Sequence, residues 1–408
     1  MNYPLFLARR LSLGSSGRKG SPAVRVATAA VALSVSVMLA SIAIVSGFKQ
    51  EITRKVIGFN SEIQISVAQG GTEENNILTL RAPVAGLLDS LAGISDWSLN
   101  VSVPAVFKTS GDFKGIYMRS IADSSTSSFL SDNIEEGRLP EAKEEILISR
   151  QAARRLGLET GGKVDTYFFT DDVRVRRFTI SGIYNSHFDH YDELLAYATL
   201  ETLQKVADLE EWQGSSIRVS VADFSELESE AQLLQHELDG MVASGILSRP
   251  YRVSTALTAG SSFFQWLQLL DTNVIVILIL MMAVGCVTLV SGMLIIILDK
   301  KRFIGLMKAL GAPTSSLRKV FIYLAVRIAI WGLAIGNILT LAFLWAQERW
   351  HFLPLDPDAY YIDFVPVRLG WEDILILNVG VVIVIYLVLI LPSRFVAGIS
   401  PAETMRDE

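Results

Sequence analysis

One cysteine, Cys286, occurs in the 408 residues. It sits inside a long apolar run, so no intrachain disulfide can form and the fold must rest on packed apolar surface. Catalytic motifs are equally scarce: no paired-cysteine motif, no His-Glu-x-x-His helix and no Ser/His/Asp spacing occurs. Catalysis therefore has no visible home. No stripe of Lys and Arg suited to a phosphate backbone is present, which excludes nucleic acid as a partner class. The most informative absence is that of charge from four long stretches. Val24–Ser46 carries only Arg25, Thr272–Leu298 nothing, Val320–Ala346 only Arg327, and Ile374–Leu391 nothing. A helix needs roughly 20 apolar residues to cross a bilayer core, so all four predict membrane spans. Residues 48–271 then form one large aqueous domain between the first two. The first run is longer than the roughly 7–15-residue apolar core of a cleaved signal peptide, which favours a retained span.

Basic residues set the orientation. The leading segment carries Arg9, Arg10, Arg18, Lys19 and Arg25 without an acid, and the link between spans two and three carries Lys300, Lys301, Arg302, Lys308, Arg318 and Lys319 against Asp299. The link between spans three and four has Glu348, Asp356, Asp358, Asp363, Glu372 and Asp373 against Arg349 and Arg368. Lys and Arg stay on the cytoplasmic side during insertion, which predicts cytoplasmic termini and an exterior 48–271 domain. The net charge of −6 averages basic cytoplasmic pieces with an acidic exterior. Residues 1–23 should hold a short interfacial helix, Tyr3–Leu13, with its basic residues at the headgroups. The expected division is 24–47, 272–298, 320–346 and 374–391 as spans, 299–319 as a cytoplasmic helix, 347–373 as an exterior loop and 392–408 as a cytoplasmic tail.

Small residues form two helical stripes: Ala32, Ser36, Ala40, Ala43 and Gly47 in the first span, and Gly332, Gly336 and Thr340 in the third. Such stripes permit close helix approach, either within the chain or across a dimer. In the exterior domain, Glu62–Val67, Glu145–Ile148 and Ile217–Val221 read as strands, and Lys163–Phe169 with Arg177–Ile183 as a hairpin around Thr170–Arg176. Pro83–Leu91, Ser149–Leu156 (capped by Ser149) and Ser225–Leu238 (capped by Ser225) read as helices. The interleaving predicts an α+β or α/β domain of one or two subdomains.

Two strings imitate binding motifs. Gly157-Leu-Glu-Thr-Gly-Gly-Lys-Val164 approaches a P-loop, but Val164 lacks the metal-binding hydroxyl and the order is helix–loop–strand; a tight turn accounts for it. His187-Phe-Asp-His-Tyr-Asp-Glu193 gathers possible zinc donors without a second ligand cluster, and reads as a solvated loop with no metal. Arg327 lies about two turns inside its span, where its long side chain can snorkel to the headgroups. The link Asp299–Lys319 is amphipathic, with Phe303, Ile304, Met307 and Leu310 at helical spacing, Gly311 ending the helix and Pro313 barring its continuation. Its apolar face suits either the membrane surface or a groove on a partner protein.

The string Lys-Arg-Phe-Ile-Gly-Leu-Met-Lys-Ala-Leu-Gly-Ala (301–312) after a second span resembles the coupling segment of FtsX-like ABC transporter permeases. Ser46-Gly-Phe-Lys-Gln-Glu-Ile52, the opening Phe6-Leu-Ala-Arg-Arg10, Glu136-Gly-Arg-Leu139 with Arg154-Arg-Leu-Gly-Leu-Glu-Thr-Gly-Gly162, and the tail Ser400–Glu408 are similar to the lipoprotein-releasing LolC/LolE branch. Phe303 stands where many relatives have Glu, and the Thr170–Arg176 loop is too short for a LolC-type hook, so the likeness is to the hookless LolE type.

That resemblance implies four spanning helices with a MacB-like α+β periplasmic domain, in the inner membrane of a Gram-negative bacterium. It implies a mechanotransmission permease that extracts lipoproteins from the outer leaflet, paired with a second permease subunit and clamped by a cytoplasmic ABC ATPase dimer. ATP and magnesium would be held by that ATPase, with no cofactor in this chain, and a periplasmic lipoprotein chaperone is a possible further partner, its contact left open by the short hairpin loop. Arg302, Ile304, Met307, Lys308, Leu310 and Gly311 would then contact the ATPase, and Val37, Met38, Ser41, Val45, Met282 and Leu289 would line a cargo cavity. The rival roles are a MacB-like exporter of peptides or toxins, an FtsX-like regulator of cell-wall hydrolases, and a membrane-anchored enzyme.

Overall fold

The computed structural model describes residues 22–68, 77–169 and 173–389. The expected Tyr3–Leu13 helix and the Ser400–Glu408 tail lie outside them. The described chain falls into two compact units, one containing residues up to Lys49, Leu267–Pro354 and Phe364 onward, the other Gln50–Trp266 and Leu355–Asp363.

Among the described residues, four helices are long and apolar enough to cross a membrane: Pro22–Asn60, Ser261–Asp299, Thr314–Trp350 and Trp371–Val388. The first continues past the apolar run that predicted it, since Gln50-Glu-Ile-Thr-Arg-Lys contains no helix breaker and Ile52, Val56 and Phe59 are fully buried at helical spacing. The core of the first unit joins Val31, Val35, Met38 and Leu39 of the first span helix to Leu289, Met293 and Ile297 of the second, Phe321, Leu324 and Ile328 of the third, and Val381 and Ile385 of the fourth.

Both small-residue stripes serve this packing. A Cβ on Gly336 would stand 2.8 Å from Ala32 O, and one on Gly332 2.6 Å from a Val31 methyl. Thr340 Oγ1 lies 3.1 Å from Ser36 Oγ. First and third helices thus meet backbone to backbone, the arrangement that small residues permit in lipid. The third and fourth are joined by two amide hydrogen bonds: Asn337 Nδ2 donates to Asn378 Oδ1 at 2.9 Å and Asn378 Nδ2 to Asn337 Oδ1 at 3.1 Å.

The second unit is built on sheets. Its strands, in chain order, are β1 (Ile63–Val67), β2 (Leu78–Thr79), β3 (Ile94–Asn100), β4 (Ser102–Lys108), β5 (Phe113–Ile121), β6 (Ile134–Gly137), β7 (Glu145–Ser149), β8 (Lys163–Phe169), β9 (Val173–Tyr184), β10 (Leu195–Thr199), β11 (Gln213–Gly214), β12 (Ser216–Val221) and β13 (Tyr251–Thr255). One sheet has the order β13-β1-β12-β3; the other runs β6-β9-β7-β10-β5-β4-β8 and closes through a β8–β9 pairing. Closure removes two exposed edges. Each sheet has its own core, Phe107, Met118, Ile148, Phe168 and Ile180 in the closed one, Ile63, Ile217, Leu234 and Leu238 in the other. The domain is therefore α+β with two cores.

Local expectations met mixed outcomes. Ser149 caps the helix Arg150–Leu156, its Oγ accepting from Ala152 N at 3.2 Å, and Gly157 closes that helix at φ 61°. The hairpin is tighter than expected, because the second strand begins at Val173 rather than Arg177. Ser225 is not a cap: Asp223 accepts from Ser225 N at 2.9 Å and starts a short 3-10 turn, and the α-helix begins at Leu227. The carboxylate out-competes the hydroxyl as acceptor for exposed helix N–H groups.

Arginines from both sheets converge on the C-terminal end of the first span helix. Arg119 of β5 donates to Phe59 O at 2.6 Å, and Arg218 of β12 reaches Gly58 O at 3.4 Å. Cations at the carbonyl end of a helix oppose its dipole and satisfy otherwise unpaired acceptors. Arg218 is buried, as is Asp123, whose Oδ2 lies 3.0 Å from its Nε.

Candidate coupling and cargo sites

The link after the second span folds as a helix, Lys301–Ala309, with Lys300 as its cap residue. Gly311, at φ 90°, donates to Lys308 O, and Ala312 N donates to Met307 O, so the left-handed glycine turns the chain. Pro313 caps the third span helix, which starts at Thr314.

The link helix has two apolar faces, not one. Ile304 is fully buried in the core of the first unit, with Met307 packed beside it. Arg302 is exposed, as are Leu306 (52%) and Leu310 (74%). Ile304 therefore packs against its own chain. Leu306 stands on the outer face, four residues after Arg302 and four before Leu310. The 302-306-310 spacing was visible in the sequence, but Ile304 and Met307 offered an equally regular alternative.

The expected cargo residues also divide. Met38 and Leu289 are buried in the core of this chain. Met38 and Met282 border a seam shared with Ser34, Gly285, Cys286 and Ile385, whose volume is only about 10 Å³. That is room for at most about one water. Val37, Ser41 and Val45 are half-exposed, and Ser41 Oγ donates to Val37 O at 2.9 Å. The second span helix exposes Ile275, Ile279, Val284 and Val287 along much of its length.

In the second unit, the His187–Glu193 segment is packed rather than solvated. Phe188 is fully buried against Phe59, Phe263 and Tyr361. Asp192 is 1% exposed, accepting from Ser186 N at 3.0 Å and from Ser186 Oγ at 2.7 Å. Burial pushes its carboxyl up to about 6, against those hydrogen bonds and the Lys55 charge. Among the described residues, no group of three or more His, Cys, Asp or Glu could hold a metal ion. The P-loop-like string is the turn between Leu156 and Lys163, where Gly162 N donates to Glu159 O at 2.9 Å.

Aromatic and apolar side chains stand exposed at the hairpin end: Phe169 and Val173, paired across β8 and β9, and Val175. Nothing in the sequence pattern singled them out, since alternation alone places them on a solvent face.

Residues 26–236 match the MacB-like periplasmic core domain family, and residues 275–401 the FtsX-like permease C-terminal family. The chain is 24% identical over 403 residues to the lipoprotein-releasing system transmembrane protein LolC of Xylella fastidiosa, covering 93% of this chain and 92% of that one. It is 26% identical over 149 residues to LolE of Haemophilus influenzae, covering 34% of this chain and 35% of that protein. The periplasmic region of MacB from Actinobacillus actinomycetemcomitans aligns with 51% of this chain and 95% of that chain, at 13% identity and a TM-score of 0.35. With a MacB-like match that runs from the first span helix through most of the sheet unit and an FtsX-like C-terminal segment, the chain belongs to the MacB-like family of ABC transporter permeases.

Proposed function

We propose that this chain is the permease subunit of a transporter that lifts lipid-anchored proteins from the outer leaflet of the inner membrane of a Gram-negative bacterium. The observation that carries the reading is the end-to-end match to a lipoprotein-releasing permease, across spans, inserted domain and link helix alike. The physical need for energy input supports it. Each buried methylene of an acyl chain contributes about 0.8 kcal/mol, so a multiply acylated anchor lies far beyond thermal energy. ATP would be hydrolysed by a separate ATPase pair docked on the link helix, at Arg302, Leu306 and Leu310 of its exposed face and at the half-buried Lys308, with Gly311 fixing the turn behind them. Met307 contributes from the edge of that face. A second permease subunit would complete the transporter, and cargo would enter along Val37, Ser41 and Val45. Chaperone delivery on the far side remains part of the reading, with a hairpin of the short-loop kind.

The experiment is capture by photo-crosslinking. A crosslinking residue at Ser41, in the complete transporter, should trap lipoprotein before ATP is added and lose it afterwards. Crosslinks to phospholipid alone, unchanged by ATP, would remove the cargo route. Orientation is tested in a Cys286→Ala background: Ser229→Cys should react with an impermeant thiol reagent in spheroplasts, and Ser315→Cys should not.

A further inference from the structure

The last turns of the third span helix, Thr314–Trp350, carry a cluster of aromatic side chains that the helical core does not use. Trp345 is 61% exposed and Trp350 66%, and their rings meet edge to face at 5.6 Å. Phe343 and Phe352 meet in the same manner at 5.7 Å. The loop that follows holds this cluster in place. Gln347 is fully buried, its side-chain oxygen accepting from Leu353 N at 3.1 Å and its nitrogen donating to Val365 O at 3.0 Å. His351 ends the helix at φ 46° and lies against the Phe364 ring, centroids 3.9 Å apart. The chain is thereby turned back, and Phe352 is brought against Phe343.

Distance along the helix says at what level this turn lies. Arg318 and Lys319 mark the basic end of the helix, and from Val320 to Leu344 only Arg327 is charged. From Lys319 the helix rises about 39 Å to Trp345 and about 47 Å to Trp350, at roughly 1.5 Å per residue. A tilt of about 20°, average for such helices, shortens these rises to about 37 and 44 Å. A bilayer measures about 30 Å across its hydrocarbon and about 40–45 Å with its headgroups. With the basic end in one headgroup layer, both indoles reach the other. Charge then decides what covers them. Trp345 is flanked on the helix surface by Glu348 and Arg349, both exposed, because residues three and four apart are neighbours. A spanning helix packed here would bury both charges at a cost. A headgroup layer hydrates charges beside a ring that is apolar in body and polar at one edge.

We infer that Trp345 and Trp350, braced by Phe343 and Phe352, anchor the third span in the lipid surface opposite the link helix, with the rings at glycerol level and the indole N–H groups donating to phospholipid ester carbonyls. This end of the third span therefore faces lipid, and a second permease subunit must join the chain elsewhere. The inference needs only the four spans and holds whatever the cargo is.

The test uses the full-length protein, with whatever subunits co-purify, in nanodiscs. The signal is the tryptophan fluorescence lost in the Trp345→Phe/Trp350→Phe variant, so that every other tryptophan cancels. Phospholipid brominated near the carbonyl end of its chains should quench this component roughly twofold or more strongly than phospholipid brominated near the chain termini. Stronger quenching from the chain termini would put the rings in the hydrocarbon and overturn the anchor. Quenching by neither lipid would overturn it too, since protein or water would then cover the cluster. A second measurement does without the tryptophan variant. In a Cys286→Ala background, a nitroxide on Glu348→Cys should be relaxed more by nickel chelated to lipid headgroups than by dissolved oxygen. The reverse order, or insensitivity to both, would overturn the proposal.

Discussion

Each unit is held together within itself, and by opposite means. In the helical unit, contact is made by what side chains lack: glycine, alanine and serine let the first and third helices approach until Gly336 faces Ala32 O. In the sheet unit, contact is made by what side chains supply, with Phe107, Phe168, Ile146 and Ile148 filling the closed sheet. The difference follows from solvent. Apolar burial drives the second unit because water is the alternative, whereas lipid is as apolar as leucine and leaves fit and hydrogen bonds to choose the helix partners. A small residue in lipid and a large one in water thus carry comparable structural weight.

The largest expected effect falls on the buried charge pair of the sheet unit. Asp123→Ala removes the partner of Arg218 and the acceptor for Thr126 N and Oγ1 together, and should cost about 3–5 kcal/mol, measured by denaturant titration. Phe168→Ala should cost a similar amount, about 3–5 kcal/mol, through the cavity it leaves. Next comes Gly336→Leu, which forces the first and third helices apart. Overpacking of this kind costs about 1–3 kcal/mol and should appear as loss of a monodisperse detergent-solubilised protein, while limited proteolysis still yields a resistant sheet unit. If both units fail together, the distinction drawn between them is wrong.

A pH measurement sharpens the comparison further. Asp192 ionises near its usual 3.8 when unfolded and at about 6 when folded. The folded state therefore holds more protons between these values, and stability falls as pH rises from about 4 to about 6. The shift corresponds to about 2–3 kcal/mol. Asp192→Asn should flatten that slope while the unfolding midpoint at neutral pH moves little or rises. The smallest effect belongs to the helical unit: Asn337→Leu should cost about 0.6 kcal/mol, since amide pairs in lipid also find partners in the unfolded state.

The sequence announced the spans because uncharged runs of that length have few other uses, and it announced the β8–β9 hairpin because alternation and a turn coincided there. It hid β5, and the reason is visible in the strand. Its exposed positions carry Phe113 and Tyr117, while Lys114 and Ser120 are buried, so the polarity pattern runs against the burial pattern. The link helix shows a second limit. Ile304 with Met307 and Leu306 with Leu310 are equally regular sets, and only the position of the second span decides which turns inward. The first span shows the same limit: Met38 and Val37 are neighbours in sequence, yet one is core and the other half-exposed.

Residues 355–363, between the third and fourth spans, complete the sheet unit. Lys55 donates to Ser186 O and, at 2.8 Å, to Tyr361 O, and the Tyr361 ring packs on Phe188 and Phe263. A ribosome synthesising this chain emits Lys55 about three hundred residues before its final acceptor, at roughly 5–20 residues per second. For tens of seconds the nascent domain must therefore wait with a buried ammonium short of one partner and Phe188 short of one neighbour. Its maturation is tied to insertion of the third span, so the domain acquires its last native contacts only when the membrane part is nearly complete.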